Sequence, residues 1–414
     1  MKHFYSFVLM CLVAVTLHAE AISESAARAI AGHQLRGDAV VEVSLSSVRK
    51  AQAVGATQVA TPAYYVFNAE KAGDGFVIVS GDDRVAPIFG YSDNGTFDPN
   101  NVPPAMQAML DAYAEQIAAL NDGATAAQNL TGKAAIKPMV TSSWNESAPL
   151  NESLPMIGDK YRVTGCVATA MAHLMYYHKW PKNPTESIPA YKFYSSTQKD
   201  TIAAAELPSI TFDWENMQDV YMVDVTGTVA TKTVSDLMRY CGQSVEMVYG
   251  TSSSSASTSW VPRSLTDYFG YATSQYVQRI CYTQAEWDNL VYDELKAGRP
   301  ILYRGDKNPG GHAFLGDVYD GNGLFHVNWG WAGKSDGYFV LSVLNPDDQG
   351  TGSTAGPYGY IFGQSMIIGV QPGDAVGDGL RMTSPDLKNP GTTSLSRSSK
   401  AEDFSLTLTS RFTN

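Results

Sequence analysis

The stretch Thr164-Gly165-Cys166-Val167-Ala168-Thr169-Ala170-Met171-Ala172-His173-Leu174-Met175-Tyr176-Tyr177-His178 constrains this chain more than any other. Apolar residues at 167, 170, 171, 174 and 175 mark one face of an α-helix. Thr164 and Gly165 close an irregular polar segment. The spacing therefore predicts a helix packed into a core, with Cys166 at its N-terminus. Unpaired N–H groups and the positive end of the macrodipole favour thiolate over thiol there, and the thiolate is the nucleophile. The same N–H groups can hold an oxyanion. Gly165 leaves the approach to the sulfur free of a side chain. A lone Cys on a small-residue helix is also what ordinary buried packing looks like. The nucleophile reading therefore needs a base elsewhere.

The chain has seven His, at 3, 18, 33, 173, 178, 312 and 326. The first two fall in a leader-like segment and His33 just beyond it. His173 lies about 10 Å along the helix from Cys166 at 1.5 Å per residue, too far to share a proton, and His178 lies farther. That leaves His312 and His326. His312 sits in Gly310-Gly311-His312-Ala313-Phe314-Leu315-Gly316, where two glycines permit close approach and an apolar strand follows. After His326 comes Val327-Asn328-Trp329-Gly330-Trp331. An Asn amide can fix an imidazole tautomer and a Trp can shield that bond, which completes a nucleophile–base–orienter set.

At these residues the sequence resembles the streptopain family of secreted bacterial cysteine proteases. The motifs run in order from Trp144-Asn145 through Thr164-Gly165-Cys166-Val167-Ala168-Thr169-Ala170, Asp213-Trp214, Tyr249-Gly250, Phe269-Gly270-Tyr271, Gly310-Gly311-His312-Ala313-Phe314 and His326-Val327-Asn328-Trp329-Gly330-Trp331 to Gly369-Val370. The resemblance implies an α+β, papain-like fold of two subdomains, a helical half and a β-rich half, preceded by a small α+β propeptide. It implies Cys166 as nucleophile, His312 as general base and acid, and Asn328 with Trp329 supporting His312. It makes His326 a structural strand residue, and it places Ser255 and Gly311 against substrate backbone. It also implies a preference for an apolar residue one position before the cleaved residue. Two departures stand out. Papain-like enzymes often carry a Gln six residues before the nucleophile, and here that position is Lys160. A Gln eight residues before the base is replaced by Arg304. The Cys166 N–H remains as one oxyanion donor. The second is left open, with Lys160 and Arg304 the basic candidates.

Composition narrows the function class. With 414 residues, 44% hydrophobic and 17% charged, the chain is globular and long enough for two or three domains. A net charge of −12 argues against nucleic acid and anionic membrane surfaces as partners. Residues 1–19 read as a signal peptide, with Lys2 before an apolar core too short to span a bilayer. An exported protein follows. Cys11 sits mid-core, which disfavours a lipoprotein. Cys166, Cys241 and Cys281 then remain, an odd number for an oxidising compartment, so a free thiol is expected. Cys241 and Cys281 read as buried packing, with a disulfide between them left open. No zinc spacing or calcium loop appears, and Asp317 and Asp320 read as strand and turn residues. No metal or organic cofactor is expected.

Taken in order, residues 20–120 form a first unit. Ser23 can cap a helix over 24–32, strands follow at 64–67, 75–80 and 86–91, and Pro103-Pro104 opens a second helix. The unit has its own core pattern and no catalytic set, and the resemblance makes it an inhibitory propeptide. Residues 121–141 read as a cleavable linker carrying Lys133 and Lys137, and 142–372 as the catalytic domain. Within that domain a helix is expected at 234–240, a flexible loop at 251–259, strands at 300–303, 313–319, 324–329, 337–344 and 364–369, and a mobile loop at 350–356. Residues 373–414 hold one alternating strand at 403–409, which reads as the start of a further β domain or as a docked tail. The favoured function is a secreted cysteine endopeptidase made as a zymogen, acting on proteins and peptides, with its own propeptide as inhibitor. The alternatives are a non-proteolytic Cys–His acyl-transfer enzyme (a cell-wall amidase or transglutaminase) or an inactive binding relative. Oligomeric state is not readable from the sequence.

Overall fold

The structure, a computed structural model, describes residues 21–36, 46–52, 62–118, 130, 132–195, 198–282, 284–306, 311–341 and 364–373. The leader, the loop at 350–356 and the strand at 403–409 lie outside the described residues. In the N-terminal unit, helix α1 (Glu24–Arg36) starts where the Ser23 hydroxyl accepts the Ala26 N–H at 3.2 Å. Strands β1 (Ser46–Gln52), β2 (Pro62–Asn68), β3 (Phe76–Ser80) and β4 (Ile88–Ser92) follow, then helix α2 (Pro104–Ala118). β2 and β3 alternate between two cores. Tyr65, Phe67, Val77 and Val79 pack against Ala27 and Ala31 of α1. Tyr64, Val66, Phe76 and Ile78 face the α2 side. β1 is polar and carries no strand pattern. It forms by pairing with β2 at the sheet edge, where backbone hydrogen bonds supply what side chains do not.

The catalytic part begins with a small hairpin, β5 (Met156–Ile157) and β6 (Lys160–Tyr161), then helix α3 (Cys166–His178) and a second hairpin, β7 (Tyr191–Ser195) and β8 (Asp200–Ala204). Helices α4 (Val229–Ser244) and α5 (Val261–Phe269), strand β9 (Gln275–Gln278) and helix α6 (Gln284–Lys296) come next. Strands β10 (Ile301–Asp306), β11 (Gly311–Tyr319), β12 (Phe325–Asn328), β13 (Gly337–Phe339) and β14 (Ser365–Ile368) follow as the last elements among the described residues. Strand alternation again sorts side chains to two faces. Leu302, Ala313, Leu315 and Ile367 join the core under α3, α4 and α5. Ile301, Tyr303, Phe314 and Trp329 join the core under α2 and α6. The helical half thus covers one face of the β half.

The N-terminal unit is not the self-contained module its core pattern suggests. Among the described residues one antiparallel sheet of ten strands runs β1-β2-β3-β4-β13-β12-β11-β10-β14-β9. Its seam is β4 against β13, with Tyr91 opposite Tyr338 and Gly90 opposite Phe339. The Val340 N–H reaches the Phe89 carbonyl at 2.8 Å, and the Tyr113 hydroxyl donates to the Val340 carbonyl at 2.5 Å. α2 residues Met106, Leu110 and Tyr113 share a core with Phe314, Trp329 and Phe339. A hydrophobic pattern shows that a face is buried but not by which unit, so this sharing was invisible in the sequence.

The linker differs from expectation in the same way. Residues 132–141 are irregular but docked. The Ile136 N–H bonds the Tyr319 carbonyl at 2.8 Å, and the N–H groups of Met139 and Val140 donate to one oxygen of the Asp317 carboxylate at 3.3 and 3.0 Å. The other Asp317 oxygen holds His326 at 2.6 Å.

The seam can be tested at Gly90. A Cβ there would stand 2.3 Å from Phe339 Cδ1 and 2.7 Å from the Tyr338 carbonyl. Gly90→Ala should weaken the junction by about 1–3 kcal/mol, the usual range for overpacking. The expected readout is a lower melting temperature of the full chain and faster cutting at Lys133 and Lys137 by added trypsin. Unchanged melting and cutting would mean the two units are not joined there.

Candidate active site

α3 starts where it does because Gly165 turns the chain. Its φ of 86° and ψ of 140° suit glycine, and a Cβ would lie 2.8 Å from Met247 Sδ and 3.1 Å from Ser254 Cβ. The glycine is therefore required by backbone and packing, a stronger reason than leaving room for substrate. Thr164 and Thr169 lock the first turn through their hydroxyls at 2.9 Å. Lys179 ends the helix in the left-handed region, its N–H bonding the Met175 carbonyl. Val167 through Tyr176 are buried on every side, more than the single face expected, because the helix is enclosed between the sheet and α4.

Cys166 itself is part exposed. The backbone N–H groups of Ala313 and, less strongly, Val167 act on its thiol and favour the charged form. Ala313 matters most, since it lines the same pocket as Cys166 and directly follows His312 in β11. Cys166 on the helix thus meets the strand that carries His312. His312 is half-buried at the start of that strand, opposite Gly305 of β10.

The expected depression of the thiol pKa is not found. Burial, and then the charge of Glu146, push Cys166 up to about 11, against the opposing pull of the Ala313 N–H, Arg304 and the Val167 N–H. The helix N-terminus acts in the expected direction, but desolvation outweighs it. Arg304 thus acts on the thiol, while its guanidinium reaches the Ala256 carbonyl at 3.4 Å. Lys160 stands exposed on β6, away from the pocket behind the thiol.

That pocket is lined by Glu146, Cys166, His173, Ala313, Asn328 and Trp329, among others. Asn328 is fixed by two bonds. Its amide nitrogen donates to the Ser142 carbonyl at 2.8 Å and its oxygen accepts the Gly330 N–H at 3.0 Å. Trp329 is buried against Phe314 and Phe339, its indole N–H on the Ser335 carbonyl at 2.9 Å. His173 is buried and stacked on Trp144, with Nδ1 2.5 Å from the Ser142 hydroxyl. Burial pulls its pKa down to about 3, so it stays neutral. His326 lies on β12, paired to the buried Asp317. Sequence reasoning passed over Glu146, although it directly follows the quoted Trp144-Asn145. It also did not foresee the Asp317–His326 pair, which joins strands nine residues apart in sequence.

Ser255 spends its backbone on Val248, accepting its N–H at 2.9 Å and donating to its carbonyl at 3.1 Å. Only its exposed side chain remains for a ligand, on a cavity of about 510 Å³ also lined by Glu246, Val248, Trp260, Tyr276 and Arg304. Gly311 opens β11 opposite Asp306. Cys166, Cys241 and Cys281 are all free thiols, so Cys241 and Cys281 form no disulfide. Cys241 packs in the core with its sulfur 3.5 Å from Met175 Sδ. Among the described residues no group of His, Cys, Asp or Glu is arranged to hold a metal ion.

Comparison with known proteins matches this geometry to a family. Residues 144–339 match the Peptidase C10 family, and residues 19–117 match the Spi protease inhibitor family. Streptopain of Streptococcus pyogenes is 36% identical over 332 residues, covering 74% of this chain and 80% of streptopain. The chain belongs to the peptidase C10 family. It is a cysteine endopeptidase made as a zymogen, with an inhibitor-type propeptide domain ahead of a papain-like catalytic domain. The thiol protease/hemagglutinin PrtT of Porphyromonas gingivalis is 30% identical over 391 residues, 89% of this chain and 44% of PrtT. A solved fragment of Prevotella intermedia prointerpain A aligns with a TM-score of 0.66 and 28% identity, over 81% of this chain and all of the fragment.

Gly165→Ala should strain the entry to α3 and displace Met247, costing about 2–4 kcal/mol from backbone and overpacking together. Melting several degrees lower, with peptidase activity reduced at least tenfold, is the expected result. A variant as stable and active as wild type would show that the turn tolerates a side chain.

Proposed function

We propose that Cys166, His312 and Asn328 carry the peptidase reaction, with Trp329 as shield. The observation that supports this most is that Cys166 and Ala313 line one pocket, which sets the nucleophile beside the first residues of β11. In this reading His312 takes the thiol proton as the substrate binds. The sulfur attacks the peptide carbonyl, and the oxyanion accepts the Cys166 N–H. His312 then protonates the leaving amine, activates a water, and the acyl-enzyme is hydrolysed. Asn328 orients without exchanging a proton. His326 takes no part in the chemistry.

The N-terminal unit is the intramolecular inhibitor, and residues 121–141 are cut to mature the enzyme. The thiol held near 11 belongs to the uncut state, in which a resting nucleophile protects the producing cell. The segment 1–19 directs export, and proteins and peptides outside the cell are the substrates. No described helix is long and apolar enough to cross a membrane.

Cys166→Ala and His312→Ala should each lower casein hydrolysis by at least about 10³-fold, as for members of one catalytic unit, and both should accumulate uncut. Cys241→Ala and Cys281→Ala should retain most activity. Full hydrolysis by Cys166→Ala would sink the assignment.

His326→Gln should keep activity and lose stability in a pH-dependent way. Burial lowers the His326 pKa, but the Asp317 hydrogen bond and charge, with Asp336 and Asp93, raise it overall. A raised folded-state value gives stability that is fully present below the ordinary 6.5 and lost as the pH climbs through the raised value. The gap in melting temperature between wild type and His326→Gln should therefore be widest near pH 6 and narrow toward pH 9. A gap independent of pH would remove the charge-based role.

A further inference from the structure

Glu146 is attached to the residues that precede the nucleophile. Its backbone carbonyl accepts the Thr164 N–H at 3.0 Å. The Gly165 N–H also acts on its side-chain carboxyl and favours the charged form. Itself half-buried, Glu146 lines the small pocket behind Cys166 together with Ala313, Asn328, Trp329 and His173. The groups facing it there are the Cys166 thiol and the neutral His173, whose Nε2 is buried with no hydrogen-bond partner. Arg304 acts on the same thiol from β10, and His312 precedes Ala313 on β11.

We propose that Glu146 is a positioning residue that switches the Cys166 nucleophile. As a neutral acid it supports the negative charge that forms at this site, and as a carboxylate it suppresses that charge. This rests on the reading of Cys166 as nucleophile. The physical basis is like-charge repulsion between two half-buried groups that line one pocket. A thiolate, and then a tetrahedral oxyanion, places a full negative charge beside Glu146. If Glu146 is ionised, two negative charges share the pocket. If it is protonated, one charge disappears and its O–H becomes a donor to the other. A buried carboxylic acid kept neutral so that it can donate is an established device in other enzymes. Burial, partly offset by the Gly165 N–H, pushes Glu146 up to about 7, so both forms are accessible near neutral pH.

The proton count is simple. The thiolate pair forms the C–S bond and the carbonyl π pair moves to oxygen. On collapse the C–N bond breaks and the amine takes its proton from His312. Glu146 keeps its own proton throughout, so it acts through Cys166 and exchanges nothing with substrate.

The test compares wild type with Glu146→Gln and Glu146→Ala, alkylated as full-length chains and assayed for hydrolysis after maturation. Iodoacetamide alkylation of Cys166, mapped by mass spectrometry, and hydrolysis of a peptide substrate are followed from pH 5 to 9. Gln keeps an N–H donor without charge. It should be alkylated about tenfold faster than wild type at pH 8, the effect of about one pKa unit, with the difference narrowing toward pH 5. Wild-type hydrolysis should fall as pH rises through about 7, and that limb should be missing in Glu146→Gln. Glu146→Ala should be alkylated as fast as Gln but hydrolyse at least tenfold more slowly, having lost the donor. Superposable pH profiles for wild type and Gln overturn the proposal. If Glu146→Gln does not fold, wild type alone decides: its alkylation must follow two ionisations, the lower near pH 7, and a single one overturns the proposal. A separate failure is distinguishable. If complete alkylation of Cys166 leaves hydrolysis intact, the nucleophile reading falls and the role of Glu146 with it.

Discussion

The contact of α3 with β11, where Cys166 meets Ala313, joins the two halves of the enzyme at the candidate nucleophile. It depends on α3 meeting β11 at a fixed height. That height is set by Ala168, Met171 and Leu174 packing in the same core as Leu302, Ala313 and Leu315. Close-packed interiors transmit shifts of even one methylene. The Gly165 turn, the Thr164–Thr169 lock and the Asn328 bonds to Ser142 and Gly330 are therefore all supports for one contact.

The opposite face of the same sheet is shared with the propeptide. Phe314 and Trp329, which flank the site on β11 and after β12, pack in one core with Met106, Leu110 and Tyr113 of α2. Removing the N-terminal unit would break the β4–β13 backbone bonds and uncover the apolar face packed against α2. The Asp317 carboxylate stands at this junction, holding the linker at Met139 and Val140 through one oxygen and His326 through the other. Residues 139 and 140 are thus tied to β12 through one buried carboxylate.

Much of this was legible in the residues. The apolar spacing from Val167 to Met175 gave α3, the alternation around Phe314 and Val327 gave β11 and β12, and Pro103-Pro104 marked the start of α2. These elements bury side chains in a periodic way, and periodicity is what a sequence displays. β1, the β4–β13 seam and the docked linker were not legible. Each is held chiefly by backbone hydrogen bonds to a distant partner, and backbone groups are the same in every residue. The thiol pKa was misjudged for a related reason. A helix N-terminus is visible in the sequence, but the burial of Cys166 and the approach of Glu146 depend on how the chain from Trp144 returns to Thr164.

The claim on which the rest stands is that Cys166 alone among the three mature cysteines is the working nucleophile, and that it depends on His312. Labelling with a peptidyl epoxide, followed by mass mapping of every cysteine, tests it most directly. Stoichiometric modification of Cys166 in the active enzyme, absent from Cys241 and Cys281 and lost in His312→Ala, is the result this account predicts. Labelling at Cys281 or Cys241 with Cys166 untouched, or equal labelling of Cys166 without His312, would contradict it.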